Sequence, residues 1–439
     1  MSEKDFKIKL VRAREILDSR GNPTVEAEVF TYGGFFGRAA VPSGASTGEF
    51  EALELRDNDK KRFHGKGVLK AVKNVNEVLS KIVTGMDVRE QESIDKAMIE
   101  ADGTKGKTKF GANAILSVSL ASSRAAADGL KMPLYKYIAE YVFKKEFDKF
   151  ILPIPFMNIL NGGKHAGSEL AIQEFMVVPI MKKNFKENLR AGSEIYHTLR
   201  GYLLKKYGKS AINVGDEGGF APPMKLTSEP LTAIVDSIEE TGYVPGKDVV
   251  LALDSAASVF FRDGKYHIDG KEMAPGELVD YYVDLTKTFP IKSLEDPFDE
   301  NDFETFAELT KKVGDRIQVV GDDLYVTNVE RIKKGLELGS TNSLLLKVNQ
   351  IGTLTEAVKA ATLMLENGFS VVVSHRSGET EDPFIADLTV GLGVGQIKTG
   401  APARAERTCK YNQLLRIEEE LGEDGVYAAV VKRENLIYL

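Results

Sequence analysis

Cysteine is nearly absent from this 439-residue chain. Cys409 stands alone, which excludes a disulfide framework and a cysteine metal cage. A surplus of positive charge is missing as well. Lys and Arg number 58 against 65 Asp and Glu, a formal net charge of -7, which argues against a dedicated nucleic-acid binder. It leaves room for a small anionic substrate, which needs only a local cationic site. No uncharged apolar run reaches the length of a membrane span. The charged start, Met1-Ser2-Glu3-Lys4-Asp5, lacks the apolar centre of a signal peptide, so the expected location is cytoplasmic. Nucleotide-binding glycine fingerprints are lacking too. Gly391-Leu392-Gly393-Val394-Gly395 has the wrong spacing for a dinucleotide fold, and Gly103-Thr104-Lys105-Gly106-Lys107-Thr108 is too short for a P-loop.

What is present is an ordinary globular composition, 43% hydrophobic and 28% charged, in a chain long enough for two domains or for one barrel with an appended lobe. The first part alternates as a short antiparallel meander. Phe6–Leu10 and Thr24–Phe30 flank the turn cluster Asp18-Ser19-Arg20-Gly21-Asn22-Pro23. A loop of small residues follows, Ser43-Gly44-Ala45-Ser46-Thr47-Gly48. Then come two helical stretches, one marked by Val72, Val75, Leu79 and Ile82 and one by the Ala/Ser-rich residues 112–127. This pattern predicts an α+β lobe over residues 1–136. From about Ile151 onward apolar runs alternate with helical segments (276–289, 302–313, 328–338, 354–366), the signature of parallel strands with crossover helices. Roughly 300 residues in that pattern favour a closed β/α barrel over 137–439, with the open doubly wound sheet as the alternative.

Each apolar run ends in residues able to do chemistry: Asp254, Glu295-Asp296, Asp322-Asp323, Lys347, His375-Arg376-Ser377 and Lys398. Spaced by about one βα unit, they belong on one rim, and in parallel barrels active sites form on the C-terminal rim. Capping or turn formation accounts better for Asp296, Asp299 and Asp323 taken singly. Lys347 alone would read as a snorkelling or ion-paired lysine. Taken together, Asp254, Glu295 and Asp322 describe an oxygen-only site for a hard cation such as Mg²⁺. Lys347, His375, Arg376 and Lys398 make a cationic wall for an anionic substrate. Glu217 lies in a glycine-flanked loop. Glu174 precedes its strand, so it reaches the same rim only if the second barrel strand runs antiparallel. His165, in the loop Asn161–Gly167, counts little by itself.

Long, dispersed motifs resemble the enolase family over essentially the whole chain. They include Ile16–Glu26, Ser43–Gly48, Gly215-Asp216-Glu217-Gly218-Gly219, Leu294–Phe298, Leu345–Gly352, Ser374–Asp382 and Tyr411–Glu419. The resemblance implies an α+β N-terminal lobe and a modified, TIM-like β/α barrel with an antiparallel second strand. It implies reversible dehydration of 2-phosphoglycerate to phosphoenolpyruvate with two Mg²⁺ per active site, and a homodimer or an octamer built from dimers. On the family pattern Asp254, Glu295 and Asp322 hold the first metal, and Ser46 joins the second. Lys347 is the base and Glu217 the acid partner, assisted by Glu174 and His165. His375, Arg376, Ser377 and Lys398 bind substrate. Sites of the wider enolase superfamily use a Lys or His base with Mg²⁺, in agreement with those roles. Lys347 must be neutral to act, and the metal ions and Lys398 are expected to lower its pKa. Glu174 and Glu217, if adjacent, should share a proton. Ser168 and Val259 depart from residues frequent in the family and bear on loop contacts. A related acid-sugar dehydratase or racemase, and a non-catalytic binding role, are the alternatives.

Overall fold

The computed structural model describes residues 2–44, 48–163 and 169–431; Ser46, His165 and Ser168 lie outside the described residues. The N-terminal lobe opens with an antiparallel sheet of Ile8–Leu17, Pro23–Thr31 and Phe36–Ala40. Helix Ala112–Leu130 lies on that sheet. Its run of Ala and Ser is almost wholly buried, because small side chains let backbones approach closely. The closest approach is at Gly37, where a Cβ would overlap the Ala121 carbonyl oxygen and stand 2.5 Å from the Ala125 nitrogen. Helix and sheet can meet there only because that position has no side chain.

Eight strands close the barrel: Ile154–Asn161, Glu174–Pro179, Val249–Asp254, Ile291–Glu295, Gln318–Gly321, Ser343–Leu346, Ser370–Ser374 and Gln396–Lys398. We call them the first to eighth barrel strands. The second pairs antiparallel with both the first and the third, and the other pairs are parallel. An antiparallel neighbour needs no crossover helix. The helices Phe185–Tyr207 and Ser228–Glu240 accordingly both fall between the second and third strands. The direction expected from Glu174 is thus present, and Glu174 sits opposite Asp254 in register.

Inside the barrel the period of two along a strand stacks side chains in layers. Gln318, Ser343, Ser370 and Gln396 form the lowest, with Gln318 Nε2 within 2.7–2.8 Å of an oxygen of each of the other three. Above them Val320, Leu345 and Val372 make a small apolar cluster. Two residues further along the same strands stand Asp322, Lys347 and Ser374. The alternate residues Val319, Leu344, Leu346, Val371 and Val373 join the main core outside the barrel. Lys347 therefore points inward for the same reason that Leu345 does.

The lobe grips the rim of the barrel. Arg124 donates to both oxygens of Asp382 (2.6 and 2.8 Å), and Ser43 exchanges two backbone hydrogen bonds with Gly378. Asp95 of the lobe accepts from Thr355 N and Oγ1 at the start of helix Leu354–Glu366. Gly37→Ala is expected to push helix 112–130 off its sheet and to cost about 1–3 kcal/mol of stability. Denaturant unfolding checks this, and a midpoint equal to that of the parent would contradict the steric argument.

Candidate active site

At the C-terminal rim a small polar cavity is lined by Glu174, Glu217, Asp254, Asp322, Lys347, His375, Arg376, Ser377 and Lys398, together with Asp296 and Asp323. Glu295 lies just outside this lining. Lys398 Nζ donates to Asp254 Oδ2 at 2.9 Å and to both Glu295 oxygens at 2.8 Å, and it stands 3.2 Å from Glu174 Oε2. One ammonium thus joins carboxylates of the second, third and fourth strands. Burial opposes its charge, but Asp254 and then Glu174 outweigh that and raise the Lys398 pKa well above the usual lysine value.

Lys347 Nζ is ion-paired with Asp322, whose other oxygen accepts from Gln350 Nε2 at 2.8 Å. Burial and Arg376 disfavour the Lys347 ammonium, yet the neighbouring Asp322 carboxylate wins and raises the pKa above the usual lysine value; the lowering expected from sequence belongs to the site with its metal ions bound.

Glu217 is carried by the loop Asn213–Phe220. A tight turn (Gly215 N to Gly219 O, Gly218 N to Gly215 O) and hydrogen bonds of Phe220 to the first strand hang this loop on the barrel. Gly218 adopts φ +86° in it. Asn158 Nδ2 donates to Glu217 Oε2 at 2.9 Å, and His375 Nε2 faces the same oxygen at 3.5 Å. Burial, and next the Glu217 carboxyl hydrogen-bonded to it, hold Glu174 well above the usual carboxylate range. Repulsion between the two acids thus favours a proton kept on the pair. Burial above all lowers the His375 pKa to about 4, so its imidazole is neutral near pH 7.

Arg376 is held as a fork against both oxygens of Glu51 (2.9 and 3.0 Å) and donates to Asn349 Oδ1 at 2.8 Å. Sequence reading missed Glu51 altogether, along with Asn158, Arg20 and Arg407. Arg20 Nη2 donates to Ser43 Oγ and the Gly44 carbonyl, and Arg20 Nη1 reaches Ser377 Oγ at 3.5 Å. Only the resemblance of the Ile16–Glu26 motif hinted at a role for that turn.

Asp296 is no helix cap. Its two oxygens accept the backbone N–H groups of Asp322 and Asp323 (2.9 and 2.7 Å), tying the ends of the fourth and fifth strands together. As a result Asp296, Asp322 and Asp323 bring ligand oxygens within 4.8 Å of one another, a trio that shares only Asp322 with the expected triad. Lys398 draws Asp254 and Glu295 to itself instead.

A family profile described as "Enolase, C-terminal TIM barrel domain" matches residues 149–436, and one described as "Enolase, N-terminal domain" matches residues 8–138. The chain belongs to the enolase family. It is 58% identical to the enolase of Methanocaldococcus jannaschii over 417 residues, 95% of this chain and 96% of the relative. It is 57% identical to the enolase of Pyrococcus furiosus over 428 residues (97% and 98%) and 58% identical to that of Methanopyrus kandleri over 413 residues (94% and 95%). As a member of the enolase family the chain is a phosphopyruvate hydratase, a carbon–oxygen lyase. No helix among the described residues is long and apolar enough to cross a membrane.

The enolase family implies a divalent metal, and the donor set fits one. Glu174, Glu217, Asp254, Glu295, Asp296 and Asp322 are all buried carboxyls, faced by the ammonium groups of Lys347 and Lys398. Burial and then mutual repulsion drive Glu295 and Asp296 well above the carboxylate range and Asp323 up to about 8. Oxygen donors with surplus negative charge suit a hard cation.

Lys398→Met removes the counter-ion shared by three buried acids, an expected loss of about 3–5 kcal/mol. The stranded carboxyls would have raised folded-state pKa values. The variant's stability should therefore be greatest at low pH and fall as pH rises through those values. A divalent cation should raise the variant's melting temperature more than the parent's. Equal shifts in thermal denaturation would contradict the charge accounting.

Proposed function

We propose that the protein catalyses the reversible, Mg²⁺-dependent dehydration of 2-phospho-D-glycerate to phosphoenolpyruvate, the step shared by glycolysis and gluconeogenesis. One observation carries this reading. Lys347 directly follows the sixth barrel strand and Glu174 begins the second, four strands apart in an eight-stranded barrel, so a basic group and an acid pair line one cavity from opposite sides of the barrel. Removing a proton from one face of a small molecule and a hydroxide from the other needs that arrangement.

Asp254, Glu295 and Asp322 would hold the first Mg²⁺, and Ser46 would join the second. The bound cations supply positive charge at the substrate carboxylate, which makes the adjacent C–H acidic enough to ionise. Lys398 adds its own charge at that end. Lys347 Nζ takes the α-proton. Asp322 is what keeps that lysine protonated, while burial and Arg376 work against the charge, so Lys347 becomes a competent base when Asp322 is engaged elsewhere. The proton shared by Glu217 and Glu174 leaves with the hydroxide, assisted by His165. Arg376 and Ser377 bind the phosphate with a planar fork and a hydroxyl, and His375 lines the same wall. Residues 1–136 and 137–439 are the two domains in this reading, and the working form is a cytoplasmic homodimer or octamer.

Purified protein with Mg²⁺ should form phosphoenolpyruvate from 2-phosphoglycerate, followed by its ultraviolet absorbance, and should not turn over unphosphorylated glycerate. No product would sink the proposal. Lys347→Ala should abolish exchange of the substrate α-proton with solvent. Glu217→Gln should keep that exchange while slowing dehydration on the order of 10²–10⁴-fold. Equal loss of exchange in both variants, read by NMR in deuterated water, would overturn the division of roles.

A further inference from the structure

Arg407 is the largest fully buried side chain among the described residues, with no measurable exposure. A buried guanidinium normally sits against a carboxylate. The nearest one here, Glu406 Oε1, is 3.5 Å from Nε. The terminal nitrogens go elsewhere. Nη1 donates to the Arg376 carbonyl at 2.5 Å, and Nη2 donates to the carbonyls of Ser377 (2.6 Å) and Asp216 (3.0 Å). Nη1 also lies 2.7 Å from His375 Nδ1. Room for the side chain comes from Gly400, at φ +84°, where a Cβ would stand 2.8 Å from Arg407 Cδ and 2.9 Å from the Glu217 carbonyl.

A guanidinium can only donate, so the imidazole nitrogen beside it must accept. A neutral His375 then carries its proton on Nε2, the nitrogen that faces Glu217 Oε2 at 3.5 Å and makes no hydrogen bond within the described residues. We propose that Arg407 is a positioning residue that locks His375 in its Nε2–H tautomer, making it a hydrogen-bond donor and not a base on the wall it shares with Glu217. By the same contacts Arg407 ties the Glu217 loop, through Asp216, to the Arg376-Ser377 segment. The proposal rests on the reading of Glu217 and His375 as groups that face substrate. The charged groups facing His375 are Glu217 from its loop, Arg407 from helix Ala405–Leu421 and Glu379 from its own segment. Burial keeps the ring neutral, and Arg407 decides which nitrogen bears the proton.

The test is a two-bond ¹H–¹⁵N correlation spectrum of metal-free protein labelled at histidine, with His375 assigned through His375→Gln. The wild type should show His375 as the neutral Nε2–H form from about pH 5 to 8. An Nδ1–H form or an imidazolium at pH 7 would overturn the proposal without any Arg407 variant having to fold. Arg407→Gln, whose amide carbonyl can accept, should introduce the Nδ1–H form and lower kcat on the order of ten- to hundred-fold, with KM moving less. Arg407→Lys, again only a donor, should restore the Nε2–H form. An unchanged tautomer in Arg407→Gln would refute the assignment. Failure of wild-type protein to form phosphoenolpyruvate would instead refute the functional reading and leave the tautomer result standing.

Discussion

One ammonium buried in the barrel, that of Lys398, holds carboxylates from three consecutive strands. Much of the architecture serves to make that possible. Ionised groups removed from water are tolerable only when paired and hydrogen-bonded. Barrel closure brings the eighth strand, which carries Lys398, to within reach of the second, third and fourth. The antiparallel second strand matters here in particular. Run parallel, it would present Val178 and Pro179 at the rim and carry Glu174 to the opposite end. Lys398 would then lack one of its acids, and Glu217 would lack its carboxyl neighbour.

The same logic recurs around the cavity. Lys347 is paired with Asp322, and Arg376 is paired with Glu51. Among the described residues, the lysines, the arginine and the three carboxylates proposed to meet a metal or a substrate charge each have a partner of opposite sign. Binding in such a site exchanges one partner for another and does not bring bare charges out of water. The cost of entry is thus a difference between two pairings, far smaller than the desolvation of an isolated ion. Internal pairing also accounts for the raised pKa of Lys347 beside Asp322. Its basicity is a property of what Asp322 touches, not of Lys347 alone.

The alternation of two along strands and the polar residue ending each strand were legible in the sequence, because both follow from local geometry. Gln318, Val320 and Asp322, or Ser343, Leu345 and Lys347, can be placed in their layers from spacing alone. The strand direction of Glu174 was legible because the residue falls on the wrong side of its apolar run. What stayed hidden depends on contacts made between distant segments. Glu51 belongs to an unremarkable acidic stretch, and nothing near it announces Arg376, more than three hundred residues away. Arg407 looks like one more charge at a helix start, although the fold buries it completely. Asp296 was judged a turn former because acids after strands commonly are. Its backbone partners, Asp322 and Asp323, come from the next strand and not from its own turn.

The N-terminal lobe is therefore better regarded as one wall of the site than as an appendage to the barrel. It supplies Glu51 to Arg376, and it fixes the segment from Arg376 to Asp382 through Ser19, Ser43 and Arg124. That segment follows the seventh strand without regular structure until helix Phe384–Leu392 begins. A loop that carries binding groups must be positioned by something rigid. Here the lobe holds it from outside while Arg407 holds it from within, by the carbonyls of Arg376 and Ser377. Movement of the lobe relative to the barrel would loosen the phosphate-facing groups and the Glu51 contact together. Coupling of that kind makes lobe packing, including the close approach at Gly37, a determinant of the site's geometry as well as of stability.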